Sequence, residues 1–90
     1  MNSPQTDSLI EYPCRFPIKV MGAQHPDFVS AIAAVAREFE PGFDADTIRT
    51  TPSAKGNYLG LTIQVWVSSR EQLDDLYRAL TSHAMVKVVL

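Results

Sequence analysis

The chain has 90 residues, of which 46% are hydrophobic and 20% charged, with a formal net charge of −2 at pH 7. Those values exclude a second domain, a disordered chain and a fibrous class, and they argue against nonspecific adhesion to nucleic acid or anionic membranes. One cysteine, Cys14, rules out an internal disulfide and fits a reducing, cytoplasmic setting.

Residues 1–11 mix Asn, Ser, Pro, Gln, Thr and Asp, and are expected to be a flexible N-terminal segment, with Leu9-Ile10 docking at the domain edge. They lack the cationic start and apolar middle of an export signal. The longest apolar run, Ala31 to Ala36, is too short to span a bilayer. Residues 12–90 are expected to form a single domain.

From Cys14 to Met21 the sequence alternates, with Phe16, Ile18 and Val20 on one side and Arg15, Pro17, Lys19 and Met21 on the other, which predicts a first strand. Pro17 has no backbone donor, so the regular ladder is expected to start after it. Gly22 to Pro26 breaks the strand, and Pro26 suits the first position of a helix, with Asp27 favouring its positive end. Phe28, Ile32, Val35 and Phe39 then recur at helical spacing, widened by Val29 and Ala36, until Pro41-Gly42 stops the helix. Asp44 to Thr51, rich in Thr, reads as a thin edge strand.

Pro52 to Ser68 carries the longest period-two pattern of the chain. After the turn signal Pro52 to Asn57, the positions Leu59, Leu61, Ile63, Val65 and Val67 are all aliphatic, while Thr62, Gln64 and Trp66 fall between them. So long an aliphatic face belongs to a strand in the middle of a sheet. Ser68 or Ser69, with Glu71 or Gln72 three residues on, offers a capping box for a second helix whose buried stripe is Leu73, Leu76, Tyr77 and Leu80. Met85 to Leu90 is a final strand. The order β-α-β-β-α-β predicts an α+β, ferredoxin-like two-layer sandwich: a four-stranded antiparallel sheet with both helices on one face, and the first and third strands central.

Catalytic chemistry finds little support. His25-Pro26-Asp27 spells a co-chaperone tripeptide, but in that class it joins two helices, whereas here it follows a strand and opens a helix. His25 and His83 are far apart with no Cys or paired carboxylates nearby, so they read as solvated loop residues and no metal or cofactor is expected. Asp74 and Asp75 are adjacent on a helix and do not face each other, and Ser68-Ser69 has no base beside it. The expectation is therefore not an enzyme. Lys55-Gly56 resembles the start of an RNA-binding strand, but the positions that need aromatics hold Asn57 and Leu59. Gly56-Asn57 is more simply a turn pair tolerating positive φ.

With the helices over the face bearing Phe16, Ile18, Leu61, Ile63, Val65, Val86 and Val88, the opposite face presents Arg15, Lys19, Met21, Gln64, Trp66, Lys87 and Val89. That face holds basic residues and no acidic one. It is the candidate partner surface, extended by the turn residues Lys55, Asn57 and Tyr58. A protein partner or a second copy would use Trp66 and Met21 as apolar contacts.

Three segments carry a family resemblance: Tyr12-Pro13 through Phe16 to Lys19-Val20-Met21-Gly22, Pro52-Ser53-Ala54-Lys55-Gly56-Asn57-Tyr58, and Met85 to Leu90. The chain resembles the YbeD-like family (UPF0250, DUF493) of small bacterial proteins of unknown function; the first residues and His25 lie outside the match. The resemblance implies an ACT-like ferredoxin fold, a regulatory role and an association with lipoate metabolism. It also implies that the connection after the first strand meets a small effector. Gly22, Gln24, His25 and Asp27 are the expected ligand-binding residues, Gly22 by admitting a ligand to the backbone and the helix start by offering amides. The leading expectation is a cytosolic regulatory or interaction module. The opposing class is a small nucleic-acid binder using the basic face.

Overall fold

The computed structural model describes residues 11–90, so the expectations for the N-terminal segment lie outside the described residues except at Glu11. Four strands, β1 (Cys14–Ala23), β2 (Arg49–Pro52), β3 (Tyr58–Val67) and β4 (Val86–Val89), alternate with helices α1 (Phe28–Phe39) and α2 (Arg70–Thr81). The antiparallel sheet has the order β2-β3-β1-β4, which is the ferredoxin-like arrangement with β1 and β3 central.

Alternation sets the layers. Leu61, Ile63, Val65 and Val67 from β3 and Ile18 and Val20 from β1 are buried, and they meet Phe28, Ile32, Ala33 and Ala36 of α1 and Leu73, Leu76 and Leu80 of α2. Ala33 and Ala36, rather than Val35, sit at the centre of the α1 stripe; Val35, Phe39 and Tyr77 flank the core half-buried. Phe43, just past the α1 stop, is also in the core, and its carbonyl accepts from Arg37 Nε at 3.3 Å.

Several local expectations change. The β1 ladder runs through Pro17, from Cys14 opposite Val67 onward. Lys19 and Leu90 exchange backbone hydrogen bonds of 3.2 and 2.8 Å. Every second residue of β1 therefore faces that edge, and the missing donor of Pro17 points outward where β4 does not reach. The helix α1 starts at Phe28, two residues later than Pro26 suggests. There His25 folds back: its Nδ1 accepts from Asp27 N at 3.0 Å and its carbonyl from Phe28 N at 3.1 Å, giving a turn instead of a helical first position. Residues Asp44 to Ile48 are not strand. Asp44 Oδ1 accepts from Asp46 N at 2.9 Å and Thr47 Oγ1 donates to the Asp44 carbonyl at 2.6 Å, which closes a short 3-10 turn, Ala45–Thr47, before β2.

Two turns act as sequence chemistry requires. Gly56 has φ of 73°, the left-handed conformation, whereas no other residue type does so among the described residues; Asn57 is not part of that conformation. Ser69 caps α2, its Oγ accepting from Gln72 N at 3.1 Å, and Gln72 Oε1 accepts in return from Ser68 N at 2.6 Å. The reciprocal arm of the box thus reaches one residue further back than usual.

The largest departure is in β4. Val20 pairs with Val89 and Met21 with Val88, but Gly22 pairs with Val86, leaving Lys87 as an extra residue. This β-bulge reverses the alternation. Val86 and Val89 pack against the core and Val88 is 46% exposed on the other face, opposite to the expected facing of Val88 and Val89.

Candidate binding surface

Register places the side chains of the uncovered sheet face. Arg15 is opposite Trp66, Lys19 opposite Thr62, and Met21 opposite Gly60, while Arg49 and Thr51 of β2 stand beside Thr62 and Gly60 on the far side. Among the described residues, the exposed large hydrophobic residues Tyr58, Trp66, Val88 and Leu90 all belong to this face. Of the expected partner residues, Arg15, Lys19, Met21, Gln64, Trp66 and Tyr58 are brought together here, and Lys87 joins Met21, Tyr58 and Val88 around a small apolar hollow. Lys55 and Asn57 sit instead at the tip of the β2-β3 hairpin, exposed.

Trp66 is held from two directions. The Arg15 guanidinium lies over its ring, 5.5 Å from the centroid, and its backbone N–H donates to Glu40 Oε1 at 2.9 Å. Glu40 ends α1 and satisfies a β3 donor where β2 has already stopped. The cation over the ring stabilises the pair by about 0.5–1 kcal/mol at such an exposed site.

Glycine shapes the other end. Gly60 has no side chain between Met21 and Thr51, and a groove of about 270 Å³ opens over it, reaching Lys19, Thr62 and Leu90. A second hollow of about 240 Å³ lies between Arg15, Arg49, Gln64 and Thr47. Arg49, Val88 and Leu90 were not among the expected site residues. Arg49 faces this side only through the β2-β3 register, and Val88 only through the bulge.

The expected ligand residues divide into a buried glycine and an exposed turn. Gly22 is buried, and a Cβ there would collide with the Met85 carbonyl oxygen and lie 2.6 Å from the Phe28 ring. The space above Gly22 is filled by the protein itself: the glycine admits Met85 and Phe28, not a ligand. Gln24, His25 and Asp27 are exposed, with the Asp27 amide already accepted by His25. His83 works in the same way at the neighbouring end of α2, its Nδ1 accepting from Met85 N at 3.1 Å; both histidines thus stand in connections and also shape their turns, His25 exposed and His83 half-buried. Asp74 and Asp75 pair separately with Arg70 and Arg78. Among the described residues no group of three or more His, Cys, Asp or Glu is placed to hold a metal ion, and no helix is long and apolar enough to cross a membrane.

Fold and surface together define a small α+β, ferredoxin-like domain with one sheet face covered by helices and the other open. The chain belongs to the YbeD-like UPF0250 family: a family model described as a protein of unknown function (DUF493) matches residues 7–90. It is 59% identical over 88 residues to a UPF0250 protein of Paraburkholderia phymatum, covering 98% of this chain and 99% of the relative. A UPF0250 protein of Bordetella pertussis is 57% identical over 89 residues, covering 99% and 98%. One from Neisseria gonorrhoeae is 59% identical over 83 residues, covering 92% and 91%.

Proposed function

We propose that the protein is a non-catalytic interaction module that binds a protein partner on its open sheet face. The observation that carries this reading is the collection of Tyr58, Trp66, Val88 and Leu90 on a single face, since large apolar side chains grouped with a charged rim are the usual composition of a docking surface. In this reading regulation, including any part in lipoate metabolism, is exerted through the partner that occupies the face.

Two other readings have less support. A small effector at the turn after β1 would need space that Met85 and Phe28 occupy. Nucleic acid would need free aromatic faces, but Arg15 covers Trp66, and Tyr58 stands eight positions away on β3, about 26 Å at the usual strand rise.

Affinity capture from the native bacterium tests the proposal, comparing the unmodified chain with Trp66→Ala and with Glu71→Ala on the exposed side of α2. The expected result is a protein retained by the unmodified chain and by Glu71→Ala but lost with Trp66→Ala. A partner retained equally by all three would place binding elsewhere.

A further inference from the structure

The open face has two unlike halves, and their difference specifies the occupant; this inference rests on the reading of that face as the binding surface. One half is aliphatic, with the groove over Gly60 between Met21 and Leu90 and its continuation at Val88. The other is cationic, with Arg15 and Arg49 around the polar hollow and Lys19 between the halves. Among the described residues none of Arg15, Lys19, Arg49 and Lys87 pairs with a carboxylate, whereas Arg70 and Arg78 on α2 do. No acidic residue occupies an open-face strand position.

That charge pattern discriminates between occupants. A second copy docked face to face would bring the same cations against these, with the nearby Glu40 carboxylate already engaged by the Trp66 amide, which is unfavourable. A nucleic acid supplies negative charge but nothing for an aliphatic groove. We propose that the face docks an acidic amphipathic helix of a partner protein, with an apolar side chain over Gly60 and carboxylates on Arg15, Lys19 and Arg49. Gly60 and Gln64 are four positions apart on β3, about 13 Å, a distance that about nine residues of a helix cover. Four strands span about 14 Å, enough for one helix of about 10 Å diameter. Guanidinium groups suit carboxylates because both partners are planar and pair through two hydrogen bonds.

The test is selection of a displayed library of random 16-residue peptides on the full chain, followed by amide-shift mapping on the unmodified protein. Expected are peptides with an apolar stripe and net negative charge that shift Met21, Gly60, Gln64 and Trp66. They should bind at least tenfold more weakly to the Arg15→Glu/Arg49→Glu double variant, with binding regained when the peptide acids are exchanged for Lys. Neutral or basic peptides on the same face would overturn the acidic helix and leave the face as a binding surface. Shifts elsewhere, or no enrichment, would overturn both readings. A concentration-dependent mass in light scattering that Leu90→Asp abolishes would make a second copy the occupant, and a salt-sensitive quench of Trp66 by mixed-sequence RNA would make it nucleic acid; either result overturns the proposal.

Discussion

Gly22 is the residue at which sequence chemistry and tertiary packing give opposite meanings to the same atom. Glycine in a connection suggests access for a ligand, but here it lets β1 and the start of β4 approach, with Ala23 N donating to the Met85 carbonyl at 3.0 Å. Gly22→Ala is expected to destabilise by about 3 kcal/mol or more, because backbone and a buried ring must both move; a denaturant titration measures it. Ile63 is 0% exposed, and Ile63→Ala is expected to cost about 2–5 kcal/mol, while Thr62→Ala on the opposite face costs far less. Equal losses would contradict the facing of β3. Tyr12 carries a buried hydroxyl with no hydrogen-bond partner, and its pKa is pushed upward by lost hydration, with Cys14 and Asp74 adding to the effect. Removing an unsatisfied hydroxyl relieves a penalty, so Tyr12→Phe is expected to keep or raise the thermal midpoint.

At the scale of elements, patterns that repeat were legible and patterns broken by one residue were not. Both helices, both central strands and the α2 cap follow from spacing, because burial on one face acts on every turn or every second residue. Ser69→Ala is expected to cost about 1 kcal/mol by leaving the Gln72 amide without its acceptor, a loss that thermal unfolding reads directly. The bulge at Lys87 left no such signal. Met85 to Leu90 is nearly uniform in apolar character, so inserting one unpaired residue changes which valine is buried without changing the pattern. Asp44 to Ile48 departs from the strand expectation for a related reason: local hydrogen bonds from Asp44 and Thr47 outweigh a weak strand preference.

For the whole molecule, the core and the proposed binding surface lie on opposite faces of one sheet. The core face holds the buried aliphatics under the helices, and the open face holds Trp66 at 42% exposure. Trp66→Ala is therefore expected to lower stability by about 1 kcal/mol or less, chiefly through the lost Arg15 contact, while abolishing partner binding. Circular dichroism melting beside the capture experiment checks the two effects separately. A loss of fold with Trp66→Ala would mean that the face contributes to the core.

Alternation and helical spacing by themselves determined the element order, the two layers, the central position of β1 and β3, and the basic character of the open face. Those features are periodic, and a period is readable along one dimension. Tertiary structure alone decided that Gly22 is filled by Met85 and Phe28, that Arg49 joins Arg15, and that Val88 and Leu90 complete the apolar half around Gly60. Each depends on which residues of separate strands stand opposite one another, and strand register is set by hydrogen-bond pairing and bulges across the sheet rather than by any single stretch of chain.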